Sequence, residues 1–356
     1  MSAYLIISIF LVFLFCCILD FIPIRNKKYI YIINILALII ISSLKTEDTS
    51  SDTYNYVLSF HSAVDINSFF SIPIFRYEPG YVLLEIIIKS ITDNVNVLFF
   101  IISIISLSLL GKIIWQYSPY PFLSIFIYVC MFYFKRDIIT IRYGISCVFM
   151  LMAIVSLYNN SNKKFILWSM VSFMFHYTAF SVILFYVYYY FFKNRIKDVQ
   201  IVLLILFVFS ILGITILSII KVLPNFLPPF FAYAITKGLS HLGNEVSVGF
   251  KQIVPYLPFC LIVNKLRIYR IDKIKVLYLT FLFSILMMIE LNQSATFSRV
   301  NQMYLTIIVL FFPFLINYIK KKNNFLVVYS LIMVFSIYMF VRISFFNSGG
   351  FINVYW

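Results

Sequence analysis

Apolar runs long enough to cross a lipid bilayer recur along almost the whole chain, for example at residues 94–112, 199–222 and 325–344. A hydrocarbon core of about 30 Å needs about 20 apolar residues per helix. Of the 356 residues, 63% are hydrophobic and only 12% are charged, a balance that no water-soluble domain presents without aggregating. Because backbone groups left unpaired in lipid are costly, the sequence predicts an all-α, polytopic integral membrane protein.

We expect about twelve transmembrane helices in one integral domain over residues 1–356, since the sequence contains neither an internal repeat nor a linker. The first residues lack a basic stretch and a small-residue cleavage signal, which favours a retained helix over a cleaved signal peptide. The predicted spans are residues 3–23, 29–44, 94–112, 120–135, 137–158, 164–175, 177–192, 199–222, 251–266, 274–291, 298–318 and 325–344.

The formal net charge of +15 comes from short basic clusters between the apolar runs. A nucleic-acid-binding face needs contiguous positive charge, so nucleic acid is not an expected partner. Under the positive-inside rule the clusters are cytoplasmic anchors, and the other connections, among them Lys135 to Asp137, then face outwards. We expect loops 45–93 and 224–250 to cap the outer end of the helix bundle. The basic clusters occupy residues 25–28, 162–164, 193–197, 265–275 and 320–322.

Two segments are ambiguous in this topology. Residues 164–192 are too long for one span and carry basic groups at both ends, so we expect a hairpin of two short helices with His176 at the outer turn. Residues 78–94 have Pro79 at a typical first helical position. We interpret them as a short amphipathic or re-entrant helix on the outer side rather than a full span.

The five cysteines predict neither a disulfide nor a metal framework, because all lie in apolar runs and none has a CxxC spacing. The sequence also lacks the motifs of nucleotide hydrolysis, zinc proteolysis and serine hydrolysis. We therefore expect neither a cofactor nor a bound metal.

Arg142 is the most informative ionisable residue, because it lies roughly 8 Å inside the predicted span 137–158 at a rise of 1.5 Å per residue. Charges at such depth usually face a protein interior or a water-filled cavity. A guanidinium binds phosphate oxygens in a bidentate manner and stays charged, which favours an anion-binding role. The alternative is that its long side chain snorkels to the surface. Arg136, at the helix entrance, is either a second anion ligand or an interface anchor.

Arg299 opens another predicted span from the same outer side and is accompanied by polar residues that include Gln302. It is a further candidate anion ligand, and a helix-terminal anchor is the alternative. His176 is flanked by apolar sequence, where burial disfavours the charged imidazolium. A neutral imidazole can serve as a base, whereas a structural histidine bonded to a backbone carbonyl is the plainer interpretation.

The first outer segment is unusually polar for this chain and holds Asp52, Arg76 and Glu78. These charges are either solvated or part of a site. Glu78 directly precedes a predicted helix start, where a carboxylate also caps exposed backbone N–H groups. Aromatic rings near the outer loops, such as Tyr54 and Tyr81, either form interfacial belts or stack on sugars.

Four segments together carry a family pattern: DTYNY at 52–56, RYEPGY at 76–81, IRYGIS at 141–146 and KKFILWSMVSFMFHYTAF at 163–180. In this order and near this spacing, they resemble the EpsG-type branch of the Wzy O-antigen and exopolysaccharide polymerases. The residues that match the pattern are Asp52, Glu78, Arg142 and His176. Tyr143 and Gly144 depart from it, because many members of the family have Gln-Ala there.

The resemblance implies a glycosyltransferase bundle of the GT-C-like type in a bacterial inner membrane, with its active site facing the periplasm. Such a protein joins undecaprenyl-pyrophosphate-linked oligosaccharide units by glycosyl transfer, within membrane lipid and with a chain-length regulator as a candidate partner. An O-antigen ligase, another lipid-dependent glycosyltransferase and a lipid-linked oligosaccharide flippase or transporter are the alternatives.

The implied roles can be assigned to residues of this chain. We expect Arg142 and Arg299, with Arg136 as a further candidate, to bind the donor diphosphate and to balance the charge of the leaving group. The base is His176, with Asp52 or Glu78 as alternatives. Sugar binding falls to Tyr54, Arg76, Tyr81 and Gln302.

Overall fold

The computed structural model describes residues 3–46, 49–62, 77–211, 253–291, 295–320 and 324–346. Within these ranges the regular structure is helical and no β-strand occurs, so the all-α prediction is confirmed there. The α-helices are α1 (Ala3–Cys16), α2 (Lys27–Ser43), α3 (Ser51–Ser62), α4 (Pro79–Lys89), α5 (Val95–Tyr117), α6 (Pro121–Tyr128), α7 (Ile141–Tyr158), α8 (Asn162–Phe175), α9 (Val182–Phe192), α10 (Ile196–Ile211), α11 (Leu257–Leu266), α12 (Asp272–Leu291), α13 (Ala295–Leu305), α14 (Ile308–Ile319) and α15 (Phe325–Val341).

The chain forms two compact units. The first unit comprises Met1–Ala153, Lys163–Tyr177 and Ile308–Trp356, and the second comprises Ile154–Asn162 and Thr178–Ile307. The prediction of a single domain with two outer caps stays a prediction, and the cap at 224–250 lies outside the described residues.

In the part of the chain that the structure describes, three helices are long and apolar enough to cross a membrane, namely Val95–Tyr117, Ile141–Tyr158 and Phe325–Ser344. Ser298–Leu305 and Ile308–Ile319 make a fourth crossing if they form one span. Shorter apolar helices cover Tyr4–Asp20, Tyr177–Phe192 and Val254–Leu266. Helices thus occur in the predicted spans wherever the chain is described, while the number of twelve crossings stays a prediction.

The two ambiguous segments have the predicted local structure. Helix α4 begins at Pro79, in the first helical position, and ends at Lys89, so it is shorter than the transmembrane candidates. Helix α8 ends at Phe175, and a 3-10 helix over Tyr177–Ser181 leads into α9, so the helical run is interrupted at His176 as predicted.

The prediction fails locally between α6 and α7. A π-helix over Val129–Ile139 continues directly from α6, and the helical run ends at Thr140 rather than at residue 136. Arg136 and Asp137 are 1% and 4% exposed, so they are buried and not part of an outward-facing loop. Since α7 begins at Ile141, Arg142 lies in its first turn, and the estimate of its depth inside the span is wrong.

The start of α6 is completed by a distant side chain in the first unit. Tyr120 precedes this helix without capping it, and Pro121 occupies the first turn. The Asp20 carboxylate instead accepts hydrogen bonds from the backbone N–H groups of Phe122 (3.2 Å) and Leu123 (2.8 Å). A carboxylate at a helix N-terminus satisfies unpaired donors and interacts favourably with the helix dipole.

The second unit is organised around helix α12, which packs against α10 and α13. The ring of Phe185 stacks on Tyr304 with centroids 5.1 Å apart, and the ring of Phe283 meets Tyr304 edge-on at 4.7 Å. The hydroxyls of Ser181 and Tyr304 are 3.0 Å apart and hydrogen bonded. Buried aromatic rings thus form much of this core.

Candidate functional site

Glu78 and Arg142 form a buried ion pair in the first unit, between Nη1 of Arg142 and Oε2 of Glu78. The Glu78 side chain is 4% exposed and the Arg142 side chain 18% exposed. Arg142 therefore does not extend into open solvent as a snorkelling residue does. It is fixed beside a carboxylate, with a small part of its surface accessible.

Glu78 does not use its carboxylate to cap the helix that it precedes. It occupies the N-cap position of α4 with an extended backbone, and its side chain makes no capping hydrogen bond. Oε1 instead accepts a hydrogen bond of 3.3 Å from the backbone N–H of Tyr177. The capping interpretation of Glu78 is therefore wrong, and the carboxylate joins the starts of α4 and α7 to the turn after α8.

Three tyrosine rings surround the Arg142 guanidinium. Its Cζ atom lies 4.3 Å from the ring centroid of Tyr77, 5.5 Å from that of Tyr56 and 5.6 Å from that of Tyr81. Such distances are typical of cation–π contacts, in which the negative ring face attracts the cation. Of these rings, the sequence-based site included only Tyr81.

Tyr56 and Tyr77 were missed although the sequence holds a signal for each. Tyr56 is four residues after Asp52 on α3, so both lie on one helix face. Tyr77 lies next to Glu78 in the RYEPGY segment, which already marked the site. Burial raises the pKa of Tyr81 well above its usual value, with the Glu85 carboxylate adding to the effect, so the Tyr81 phenol stays neutral.

Small residues bring the helices of this site together. A Cβ added at Gly80 would lie 2.8 Å from the carbonyl oxygen of Met174, so α4 and α8 approach as closely as their backbones allow. Ser146 and Ser172 each donate to the other's carbonyl oxygen at 2.8 Å, which joins α7 to α8. These contacts place His176, just after α8, near the start of α7.

His176 and Arg136 share a neighbour, the ring of Tyr143. The His176 ring meets it edge-on at 5.2 Å, and the Arg136 Cζ atom lies 5.5 Å from its centroid. Arg136 also lies 4.0 Å from the ring centroid of Phe132. Buried in this way, Arg136 is not an interface anchor.

A polar network lies beside Arg136 in the π-helix. The Asp137 carboxylate accepts hydrogen bonds from Tyr128 Oη (2.6 Å) and Ser106 Oγ (3.1 Å). Lys45 Nζ donates to the backbone oxygens of Asp137 (3.1 Å) and Ile138 (3.3 Å). Burial lowers the pKa of Lys45 to about 7, and the nearby Asp137 opposes this shift.

The other predicted site residues are placed as follows. Asp52 is partly exposed in the first turn of α3, and Tyr54 is 51% exposed on the same helix. Arg299 and Gln302 lie on α13 in the second unit, both partly exposed. Arg76 lies outside the described residues. The structure thus brings Glu78, Arg142, Tyr81 and His176 together within the first unit.

The chemistry of this cluster favours an anionic ligand. A guanidinium offers five N–H donors, and Glu78 engages Nη1. Arg142 Nε is buried and has no hydrogen-bond partner among the described residues. The accessible part of this positively charged fork, backed by aromatic rings, can bind a phosphate oxygen.

Apolar helices around a buried, ion-paired arginine define a membrane-embedded helical protein with an internal polar site. The chain belongs to the EpsG family, whose model matches residues 28–355. It is 24% identical over 161 residues to the amylovoran biosynthesis protein AmsC of Erwinia amylovora, a match that covers 44% of this chain and 43% of that relative. No solved structure matches the chain.

Proposed function

We propose that the protein is an exopolysaccharide polymerase that joins undecaprenyl-pyrophosphate-linked repeat units on the periplasmic face of the bacterial inner membrane. The observation that carries the proposal is the Arg142 site in a member of the EpsG family. The name of the Erwinia relative assigns that protein to a biosynthetic process, which supports synthesis rather than transport. A lipid-diphosphate donor also carries its own activation, so the reaction needs no nucleotide.

The reaction exchanges a glycosyl phosphate bond for a glycosidic bond. The anomeric carbon of the growing chain separates from the donor diphosphate oxygen, and the electron pair of that bond leaves with the undecaprenyl diphosphate. The hydroxyl oxygen of the incoming unit forms the new bond and gives its proton to a base. Arg142 binds the diphosphate and balances the charge that grows on it.

Glu78 acts in this proposal as a positioning residue. Its carboxylate already accepts from Arg142 and from the backbone of Tyr177, which fixes the guanidinium beside the tyrosine rings. Because the guanidinium is already in place, little free energy is spent on rearranging it when negative charge develops on the leaving group. Both oxygens of the carboxylate are engaged in these contacts, so we assign the base to another residue.

Two residues of the first unit remain as candidate bases. His176 contacts Tyr143 and is 7% exposed. Asp52 is more exposed and lies one helical turn before Tyr56, whose ring faces Arg142. The variants H176Q and D52N each remove the base function at little change in size, so the one that abolishes polymer synthesis identifies the base.

The test is complementation of a deletion strain, with glycans separated on a gel and protein levels matched by immunoblot. Cells that lack a polymerase retain single repeat units. Cells that lack a ligase accumulate polymer on carrier lipid, and cells that lack a flippase show neither product at the surface. We expect the first pattern for the deletion and for R142A, and a strongly reduced yield for R142K, which keeps the charge but loses the planar fork.

Arg195 provides the matched control, because it is exposed and belongs to the basic cluster 193–197. R195A should restore full-length polymer. R299A tests separately whether this second-unit arginine takes part. Normal polymer length and yield from R142A at normal protein level would contradict the proposal.

A further inference from the structure

An open groove of about 420 Å³ runs between α2 and α5 in the first unit, away from the residues of the Arg142 site. Its volume lies within the range of ligand-binding pockets, roughly 300–1,000 Å³. The walls are mostly apolar, and polar side chains gather where α2 begins and α5 ends. The lining residues from α2 are Lys28, Tyr31, Ile32, Ile35, Leu36 and Ile39, and those from α5 are Ser108, Gly111, Lys112, Trp115 and Gln116.

Helices α2 and α5 are in direct contact at the groove. Tyr31 Oη donates a hydrogen bond of 2.8 Å to the carbonyl oxygen of Gly111. The Ile35 side chain lies 3.0 Å from the place that a Cβ of Gly111 would occupy, so the glycine permits this close approach. The Tyr31 and Trp115 rings, whose centroids lie 4.9 Å apart, both line the groove.

The polar end of the groove carries two lysines. Lys28 and Lys112 both line it and both are exposed. Neither ammonium has an ion-pair partner in the described part of the chain. Trp115 and Gln116 lie at the same end, and tryptophan favours the level of the lipid headgroups. This end therefore suits a negatively charged headgroup.

The groove has the length of one lipid leaflet. From Lys28 to Ile39 its α2 wall extends over roughly 16 Å at the helical rise of 1.5 Å per residue. Half of a hydrocarbon core is about 15 Å thick. Ile32 and Leu36 are 41% and 49% exposed along this wall, so apolar surface is available to an acyl chain. The basic cluster 25–28 predicts that the lysine end faces the cytoplasm.

We propose that this groove binds an anionic phospholipid of the cytoplasmic leaflet. Its phosphate lies between Lys28 and Lys112, and one acyl chain follows Ile32 and Leu36 along the groove. Basic pockets between membrane helices on the cytoplasmic side are suited to anionic headgroups, because the inner leaflet supplies them. The proposal does not depend on the Arg142 site. A negative result for lipid binding would not contradict the proposed polymerase function, and the reverse also holds.

The experiment is native mass spectrometry of the purified full chain in mild detergent, with added phosphatidylglycerol or phosphatidylcholine. We expect phosphatidylglycerol to remain bound in preference to phosphatidylcholine. The double variant K28Q/K112Q should lower its affinity about 30-fold, as the loss of two lysines at a lipid surface predicts. Ser108 is an exposed groove residue, so S108W should weaken binding by filling the space of the acyl chain.

The control is K163Q/K164Q, which removes two exposed lysines at the start of α8 and should leave lipid binding unchanged. Size-exclusion chromatography confirms that each variant is folded. Equal affinity for both lipids, or wild-type affinity in folded K28Q/K112Q, would overturn the proposal. So would displacement of the lipid by millimolar inorganic phosphate, which would indicate a phosphate site, or by undecaprenyl phosphate in preference to phosphatidylglycerol.

Discussion

Glu78 and Arg142 lie 64 residues apart in the sequence, yet their side chains form an ion pair at the point where α4 and α7 begin. Both helices therefore start at the same place in the first unit. Tyr177, at the start of the 3-10 helix that follows α8, completes the junction through its backbone N–H. The family motifs converge on this junction, and its integrity is the first property to test.

Removal of Arg142 alone should destabilise the protein more than removal of both charges. In R142M the Glu78 carboxylate, 4% exposed, remains buried without its cation, and we expect a loss of about 3 kcal/mol in the free energy of unfolding. The double variant E78Q/R142M removes the uncompensated charge and should recover about 1–2 kcal/mol. Thermal unfolding in detergent measures both. A double variant less stable than R142M would show that the charges are not coupled.

The ring of Tyr77, not its hydroxyl, should matter to Arg142. The guanidinium lies 4.3 Å from the ring centroid, whereas the phenol donates a long hydrogen bond of 3.3 Å to the backbone oxygen of Asn55. We expect Y77F to resemble the wild type and Y77L to lose about 1 kcal/mol of stability, the value of a partly exposed cation–π contact. Tyr29 is 67% exposed, and Y29L serves as the control in the same unfolding assay. Equal effects of Y77F and Y77L would refute the role of the ring.

Gly144 should tolerate no side chain. A Cβ at this position would lie 2.6 Å from the carbonyl oxygen of Arg136, and backbone cannot move aside cheaply. We expect G144A to cost about 1–3 kcal/mol, as overpacking does. G111A is the comparison variant, because its Cβ would meet side-chain atoms of Ile35 at 3.0 Å, and a side chain shifts more easily than backbone. If the two variants unfold at the same temperature, the close approach at Gly144 is not a constraint.

Because of Lys45, the free energy of unfolding should depend on pH between about 7 and 10.5. Its folded pKa is about 7, below the usual value of 10.5, so between these values the unfolded state binds more protons than the folded state. Stability therefore rises with pH across this window, by at most about 1.4 kcal/mol per pH unit, and the gain is lost as the pH falls towards 7.

Thermal unfolding of K45M between pH 7 and 10 tests this expectation. The variant should lose the alkaline gain, whereas K163M, which changes an exposed lysine, should keep it. Parallel pH profiles for the wild type and K45M would contradict the assignment.

Sequence reasoning succeeded where the physical signal is local. Apolar runs fix the positions of helices in a membrane, and Pro79 marks the start of α4. It failed between α6 and α7, where the charged triplet Lys135 to Asp137 indicated a loop. The structure accommodates these charges in a π-helix because Tyr128 and Ser106 satisfy Asp137, and aromatic rings cover Arg136.

The candidate site was predictable in part. Glu78, Arg142 and His176 stand in motifs, so each could be named from the sequence. The contacts between these residues could not be predicted, because the partner of Glu78 is 64 residues away and no periodicity indicates such a contact. The rings of Tyr56 and Tyr77 were missed for the same reason, since a tyrosine near a membrane surface is usually a belt residue.

The cap that Asp20 provides for α6 also bears on how the chain is assembled. The two segments are separated by about a hundred residues, so the carboxylate enters the membrane region long before the N–H groups that it accepts from are synthesised. The contact can therefore form only after the start of α6 has been synthesised. Completion of the first unit thus depends on the order in which its helices are synthesised as well as on their hydrophobicity.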